Sequence, residues 1–329
     1  MTGAFILLYH RIAEAVTDPW QLCVSPQHFE EQLAILRRHV SVVSLPRMLD
    51  ALAAGAPIAG MVAITFDDGY ADNLSAARTL ERQGMPATFF LTTDYVDGDR
   101  EFWWDELDRL LLQPGDLPSS ISVVIAGQPH TVSLGDAARY SATAARDRGR
   151  WRAYDDEPPG GRQSAYLDLW ERLVTQPAAQ QRQVLDQVSS QANGAAGTAR
   201  PSHRPMTQAE LTELASCDLA EIGAHTLTHP ALDAHPPSVQ QREIARGKQD
   251  LESMIGRRVA GFSYPHGRFD SESVRLVRDA GFGYACAVHG AATRNLARLT
   301  PDRYRLPRVM VLDWDGDTFE RRLLNDFEG

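Results

Sequence analysis

The sequence has almost no lysine: of 33 basic side chains in 329 residues, Lys248 alone is not arginine. It sits in the polar stretch Glu243-Ile244-Ala245-Arg246-Gly247-Lys248, which reads as a solvated helix face and argues against Schiff-base chemistry. The Gly-Lys-Ser/Thr of a Walker-type phosphate loop is absent. Cysteine is scarce as well. Cys23, Cys217 and Cys286 are odd in number and share no short spacing. That excludes a disulfide framework or a cysteine-rich zinc site and fits a reducing compartment. Long apolar runs are missing too. The N-terminal run Ala4 to Tyr9 is six residues long, follows no basic segment, and is too short for a leader or a spanning helix. The expectation is a cytoplasmic protein without an integral membrane segment. Nor is there a basic excess: 43 acidic against 33 basic side chains leave −10, which sets aside a nucleic-acid partner.

What is present suits a folded enzyme-sized chain. With 43% apolar and 23% charged residues it can bury a sizeable core. Ala4 to Tyr9 is apolar throughout, the mark of a strand buried on both faces. Ser25-Pro26 opens a helix whose core stripe is Phe29, Leu33 and Leu36. A short strand at Val42-Val43 and a helix ending at Gly55 come next. Met61 to Phe66 is a further buried strand, followed by a helix through Gln83-Gly84 and a strand at Ala87 to Leu91. Late in the chain the alternation resumes. Thr207 and Glu210 form a capping box, and strands are expected at Leu219–Ala224, Val259–Tyr264, Tyr284–Val288 and Leu306–Leu312. Helices are expected at Pro237–Ile255, Ser271–Ala280 and Thr318–Leu324. Seven or eight parallel strands alternating with helices imply an α/β fold, a distorted (β/α) barrel rather than an open sheet. The stretch from about 97 to 205 differs in character. It holds a hairpin (Ser122–Ile125 with His130–Ser133), polar helices around Trp170 and Val184, and loops such as Asn193 to Gly197. We read it as a mainly helical insertion in a single barrel domain spanning 1–329.

Three segments carry chemistry. Thr65-Phe66-Asp67-Asp68-Gly69 ends a buried strand, the place where barrel enzymes set reactive groups. Adjacent carboxylates there repel and desolvate badly unless a cation joins them. Asp68 can ligate it while Asp67 takes a proton from water; Asp-Asp-Gly is equally good turn chemistry. His225-Thr226-Leu227-Thr228-His229-Pro230 follows another strand. Two histidines four apart share one face of a helical turn and can share an ion. One carboxylate with two imidazoles suits a hydrolytic Zn²⁺ or an oxidative Fe(II). Phe262-Ser263-Tyr264-Pro265-His266-Gly267 offers a fixed backbone turn that can aim N–H groups at an oxyanion.

In that order the three segments resemble the polysaccharide deacetylase family, the NodB-homology group or carbohydrate esterase family four. The opening Leu7-Leu8-Tyr9-His10-Arg11 resembles a branch in which a Tyr-His pair begins the domain. The resemblance runs along the barrel strands and covers the insertion poorly. It implies metal-dependent hydrolysis of an N-acetyl or O-acetyl group on an amino sugar, glycan or polysaccharide. By position Asp67 is similar to the family's base, and Asp68, His225 and His229 to its metal ligands. The metal implied is divalent, foremost Zn²⁺, with Co²⁺, Ni²⁺ and Mn²⁺ as alternatives. The proton donor of the family sits near the C-terminus, where this chain has no histidine after His289; His10 takes that role by permutation. His266 stands where the family carries tyrosine, and its backbone N–H, with Pro265 and Tyr264, is the expected oxyanion and substrate side. The family's arginine beside the base is missing from the third motif, and Arg308 is its replacement or a structural arginine. Trp103, in Phe102-Trp103-Trp104, stacks on a sugar or covers the barrel rim. Asp313-Trp314-Asp315 lines a groove or caps the last helix. Two further readings stand beside this one: a hydrolase of small linear amides on the same barrel, and a catalytically silent saccharide-binding protein. An Fe(II) oxygenase is disfavoured by the strand–helix alternation.

Overall fold

In the computed structural model residues 3–192, 200–288, 295–296 and 302–326 are described. The loop expected around Asn193 to Gly197, and His289, lie outside the described residues. The chain divides into two compact units, one of residues 1–14, 22–97 and 206–329 and one of residues 15–21 and 98–205.

The first unit is built on eight parallel strands: β1 Phe5–Tyr9, β2 Ser41–Val42, β3 Met61–Phe66, β4 Ala87–Leu91, β5 Ala220–Ala224, β6 Gly261–Ser263, β7 Tyr284–Cys286 and β8 Val309–Met310. Their order is β7-β6-β5-β4-β3-β1-β8, with β2 beside the start of β3. A parallel bridge from Cys286 to Leu306 brings the segment leading into β8 back to β7. The result is the distorted barrel that the alternation implies. Alternate residues feed two cores, as the two-residue period of a strand requires. Phe5, Leu7, Tyr9, Val62, Ile64, Phe66, Phe89 and Leu91 pack with Phe29, Leu33 and Leu36 of the helix Pro26–His39. Ala4, Ile6, Ala63, Phe90, Tyr284 and Cys286 form a second core with the helix Leu45–Ala53. Ser25 caps the first of these helices, and Asp315 caps the helix Gly316–Arg321 near the C-terminus. Asp313 instead accepts from Ser25 N–H at 2.8 Å and pairs with His28.

Two expectations are corrected here. The late strands are short, three residues in β6 and in β7 and two in β8, because flanking segments bend into loops. The stretch Glu243–Lys248 is solvated only at Ala245 and Arg246. In the helix Pro237–Ile255, Glu243 is 1% and Lys248 8% exposed. Lys248 Nζ donates to the carbonyls of Ala280 and Gly281 at 3.1 Å each, satisfying the end of the helix Ser271–Asp279.

The second unit holds the helices Trp103–Leu111, Gly161–Leu173 and Ala178–Gln191 and the antiparallel hairpin Ser120–Ile125 with Gln128–Ser133. The hairpin turns through Ala126 and Gly127, both with positive φ, as a two-residue turn demands. Residues 15–21 join this unit: Trp20 Nε1 donates to Tyr166 Oη at 2.8 Å and its ring lies 4.1 Å from that of Trp170. No described helix in the chain is long and apolar enough to cross a membrane.

Candidate active site

Parallel strands end on the same side, so the residues after β1, β3, β5 and β6 converge. Arg308, at the start of β8 beside β1, reaches into them through its long side chain. Asp67 and Asp68 follow β3, His225 follows β5, Ser263 ends β6 and Arg308 precedes β8. Seven non-glycine residues have positive φ among those described, and four of them, Asp68, Thr226, His229 and His266, lie in these loops. Backbone held in such a costly region at strand ends is a mark of a functional site.

Asp67 is 2% exposed and bound by a fork: Arg308 Nη1 donates to its Oδ1 and Nη2 to its Oδ2, each at 2.7 Å. Arg308 is fully buried and also donates to Thr65 Oγ1 at 3.2 Å, Ser263 Oγ at 2.8 Å and the Ala287 carbonyl at 3.3 Å. Ser263 Oγ in turn donates to Asp67 Oδ2 at 3.0 Å. Burial pushes the Asp67 carboxyl up, and the Arg308 guanidinium overrides it, holding Asp67 below the ordinary carboxylate range. Arg308 therefore lies buried against Asp67 and not at the surface.

Asp68 faces two imidazoles. Its Oδ1 lies 3.2 Å from His229 Nε2 and 3.5 Å from His225 Nε2, and the two Nε2 atoms are 3.1 Å apart. The spacing of four does not come from a helical turn, as expected from the sequence. The 225–229 segment is a loop in which Thr226 and His229 are both left-handed, with φ of 67° and 61°. With these two residues left-handed, the loop still brings both Nε2 atoms to one point. Glu243 fixes this loop, accepting from Thr228 N–H at 2.8 Å and Thr228 Oγ1 at 3.0 Å. Gly247 gives it room, since a Cβ there would sit 2.7 Å from the Thr226 carbonyl carbon. Neither residue is marked by the sequence pattern, because both lie in a helix that reads as polar.

The chemistry of the donor set fits a cation. His225 Nδ1 is 2.8 Å from the Ser263 carbonyl. A carbonyl only accepts, so Nδ1 carries a proton, and in the neutral ring this leaves the Nε2 lone pair facing Asp68 and His229. Burial lowers His225, yet Asp67 and Asp68 raise it above the ordinary value; His229 stays below it, chiefly through burial. Burial raises Asp68, but its bonds to His225 and His229 win and hold it well below. Donor atoms of Asp68, His225 and His229 all fall within 4.8 Å of one another. Ligands about 2.1 Å from one ion stand roughly 3.0–3.4 Å apart, close to the spacing seen here.

The other expected residues divide. His266 joins the cluster: its ring meets that of His229 edge-on at 4.4 Å, and its φ of 55° turns the Pro265–Gly267 backbone sharply. His10, half-buried after β1, has its imidazole lowered by burial, opposed by the charges of Asp68 and Asp67. Tyr264 is a correction. Its ring is fully buried, stacks on Phe269 at 4.2 Å, and its Oη donates to the Tyr304 carbonyl at 3.0 Å, so the side chain faces the core and not a substrate. Trp103 is likewise corrected: 2% exposed in the second unit and packed on Trp104 and Trp170, it presents no free face to a sugar ring.

Comparison with known proteins agrees with the motifs. The family model described as polysaccharide deacetylase matches residues 54–116 and 180–285, about half of the chain. The chain belongs to the polysaccharide deacetylase family. A Bacillus subtilis (strain 168) relative named as a polysaccharide deacetylase, YxkH, is 29% identical over 107 residues, 32% of this chain and 36% of that protein. The match thus spans about a third of that relative's length. In fold the chain is similar to the deacetylase PplD of Streptococcus pyogenes, solved with acetate, at a TM-score of 0.58 and 16% identity over 99% of both chains. It is also similar to IcaB of Ammonifex degensii, at 0.57 and 16% identity over 99% of this chain and 98% of that one.

Proposed function

We propose that this chain is a metal-dependent hydrolase that removes an acetyl group, N-linked in the first instance, from an amino sugar within a glycan or its precursor. The observation that carries the reading is the pairing of a complete Asp68–His225–His229 donor set with a separate, arginine-held carboxylate, Asp67, one residue away. A binding module has no use for a second buried carboxylate beside a cation site.

Asp68, His225 and His229 would hold the cation, which when bound polarises an acyl carbonyl and acidifies water. Zn²⁺ suits a mixed nitrogen and oxygen set with open positions; Co²⁺, Ni²⁺ and Mn²⁺ share these donors. The chain's own residues do the rest. Asp67, kept ionised by Arg308, takes the proton of the attacking water on a carboxylate oxygen. The turn at Pro265–Gly267 supplies the His266 N–H to the oxyanion that forms at the carbonyl. His10 delivers a proton to the departing nitrogen, without which an amide nitrogen is a poor leaving group.

The test is metal content and acetate release on N-acetylated saccharides and small linear amides, before and after chelation. Saccharide deacetylation that vanishes on chelation and returns with Zn²⁺ is the expected result. Asp68→Ala is expected to lose metal and turnover together. Unchanged turnover in the stripped protein would overturn the metal dependence, and preference for linear amides would overturn the substrate class.

A further inference from the structure

We propose that Arg11, clamped by Asp72, is a positioning residue that holds His10 in register with the Asp67–Asp68 turn. The inference rests on the reading of His10 as proton donor and concerns residues that reading leaves unused. Arg11 is charged, next to His10, and only 2% exposed. Its Nε donates to Asp72 Oδ2 at 3.1 Å, and its guanidinium carbon lies 4.7 Å from the ring centre of the fully buried Tyr70. The next residue is tied to the same carboxylate, with Ile12 N–H donating to Asp72 Oδ1 at 3.2 Å. Asn73 Nδ2 donates to the His10 carbonyl at 2.7 Å and to Asp72 Oδ1 at 3.2 Å. Asp67 N–H donates to the Tyr9 carbonyl at 3.0 Å.

These bonds tie residues 9–12 to residues 67–73. Asp72 and Asn73 open the helix Asp72–Gln83, whose N-cap, Ala71, makes no side-chain capping bond. Polar residues at a helix start ordinarily satisfy that helix's own N–H groups. Here both side chains reach across to the segment that carries His10. A buried ion pair is weak support for stability, since apolar packing does as well, but it enforces one register. Register is what a proton donor requires: a shift of about 1 Å can cost on the order of 10²-fold in rate. The clamp therefore couples the donor on one strand end to the base and the metal ligand on the next.

Leaving-group dependence tests this. An amide needs its nitrogen protonated as it departs, whereas the phenolate of 4-nitrophenyl acetate leaves without a proton. In the metal-loaded enzyme, Arg11→Lys and the double variant Arg11→Met/Asp72→Asn, which leaves no unpaired charge, are compared with the parent on both substrates. The melting temperature of the stripped protein reports whether the fold is intact. The expected result is a fall in kcat of about 10²-fold on the N-acetyl saccharide at unchanged KM, with ester hydrolysis within about threefold of the parent. Equal loss on both substrates, or no loss on either, overturns the clamp. His10→Ala in the same assay separates the two readings. If it too is blind to the leaving group, the donor assignment fails and the clamp with it; if it is selective and the Arg11 variants are not, the clamp alone fails.

Discussion

Each unit of the molecule contains a cluster of buried charge, and the two are put together on different principles. In the second unit the carboxylates of Glu101, Glu106 and Asp108 are each at most 4% exposed. They meet three arginines: Arg200 binds Glu101 and Asp108 at 2.8 Å each, Arg109 binds Glu101 and Glu106 at 3.3 Å each, and Arg100 binds Glu106 at 2.9 Å. Each of these buried carboxylates has an arginine partner, as a purely structural network requires, and Arg100 also reaches the exposed Asp186 at 3.0 Å. At the strand ends of the barrel one arginine serves two carboxylates. Arg308 is spent on Asp67, and Asp68 is left with imidazoles whose Nε2 atoms face each other at 3.1 Å. Three buried donor groups this close together suit a shared cation. The difference teaches that one cluster is complete as folded, while the other has the donor set of the cation site proposed above.

The largest expected effect breaks the barrel pairing at its reactive member. Asp67→Asn should retain metal, measured by elemental analysis, and lose about 10²–10⁴-fold in turnover, the range for one general base. Retained turnover would dismiss Asp67 as the base. Next in size are the arginines. Removing one partner of a buried pair costs about 3–5 kcal/mol, so Arg308→Met and Arg200→Met should both unfold at clearly lower urea concentration. The clusters then part company. Asp67→Asn alone should restore much of the stability lost in Arg308→Met, whereas Arg200→Met leaves two carboxylates to neutralise, Glu101 and Asp108. A smaller effect sharpens the comparison directly. A divalent cation at a hundredfold excess over its Kd should stabilise the parent by about 2.7 kcal/mol, and Asp68→Ala not at all.

The barrel was legible in the sequence because buried parallel strands are apolar throughout, as in Phe5–Tyr9 and Met61–Phe66, and because helices interrupt them. The motif aspartates and histidines stood out for the same reason, as polar residues straight after such runs. The geometry that joins them was not legible. No spacing rule reports that Thr226 and His229 are left-handed, so the histidines were read onto a helical turn they do not make. Glu243 and Lys248 looked solvated because the helix Pro237–Ile255 is polar along much of its length, yet its inner side carries the carboxylate that fixes the histidine loop. Arg308, 241 residues from Asp67 in sequence, could be named only as one of two alternatives. Pairings across strands depend on register, which side-chain type alone does not encode.

The smallest effect is in pH dependence, and its sign differs between the clusters. Asp67 lies below the ordinary aspartate value once burial is overridden by Arg308. Its contribution to stability is present above about pH 4, near the unfolded value, and is lost as pH falls through the folded one. Glu101 and Asp108 lie above their ordinary values, because burial outweighs Arg200. The folded state binds their protons more tightly than the unfolded chain does, so their contribution is full below the unfolded values and declines as pH rises through the folded ones. In the metal-stripped protein, acidification below about pH 4 should therefore lower amide protection in β3 while the helix Trp103–Leu111 holds or gains. Hydrogen exchange, corrected for the intrinsic rate at each pH, reads the two segments in one experiment. If both lose protection together, the charge balance that separates the clusters is not what governs their response to protons.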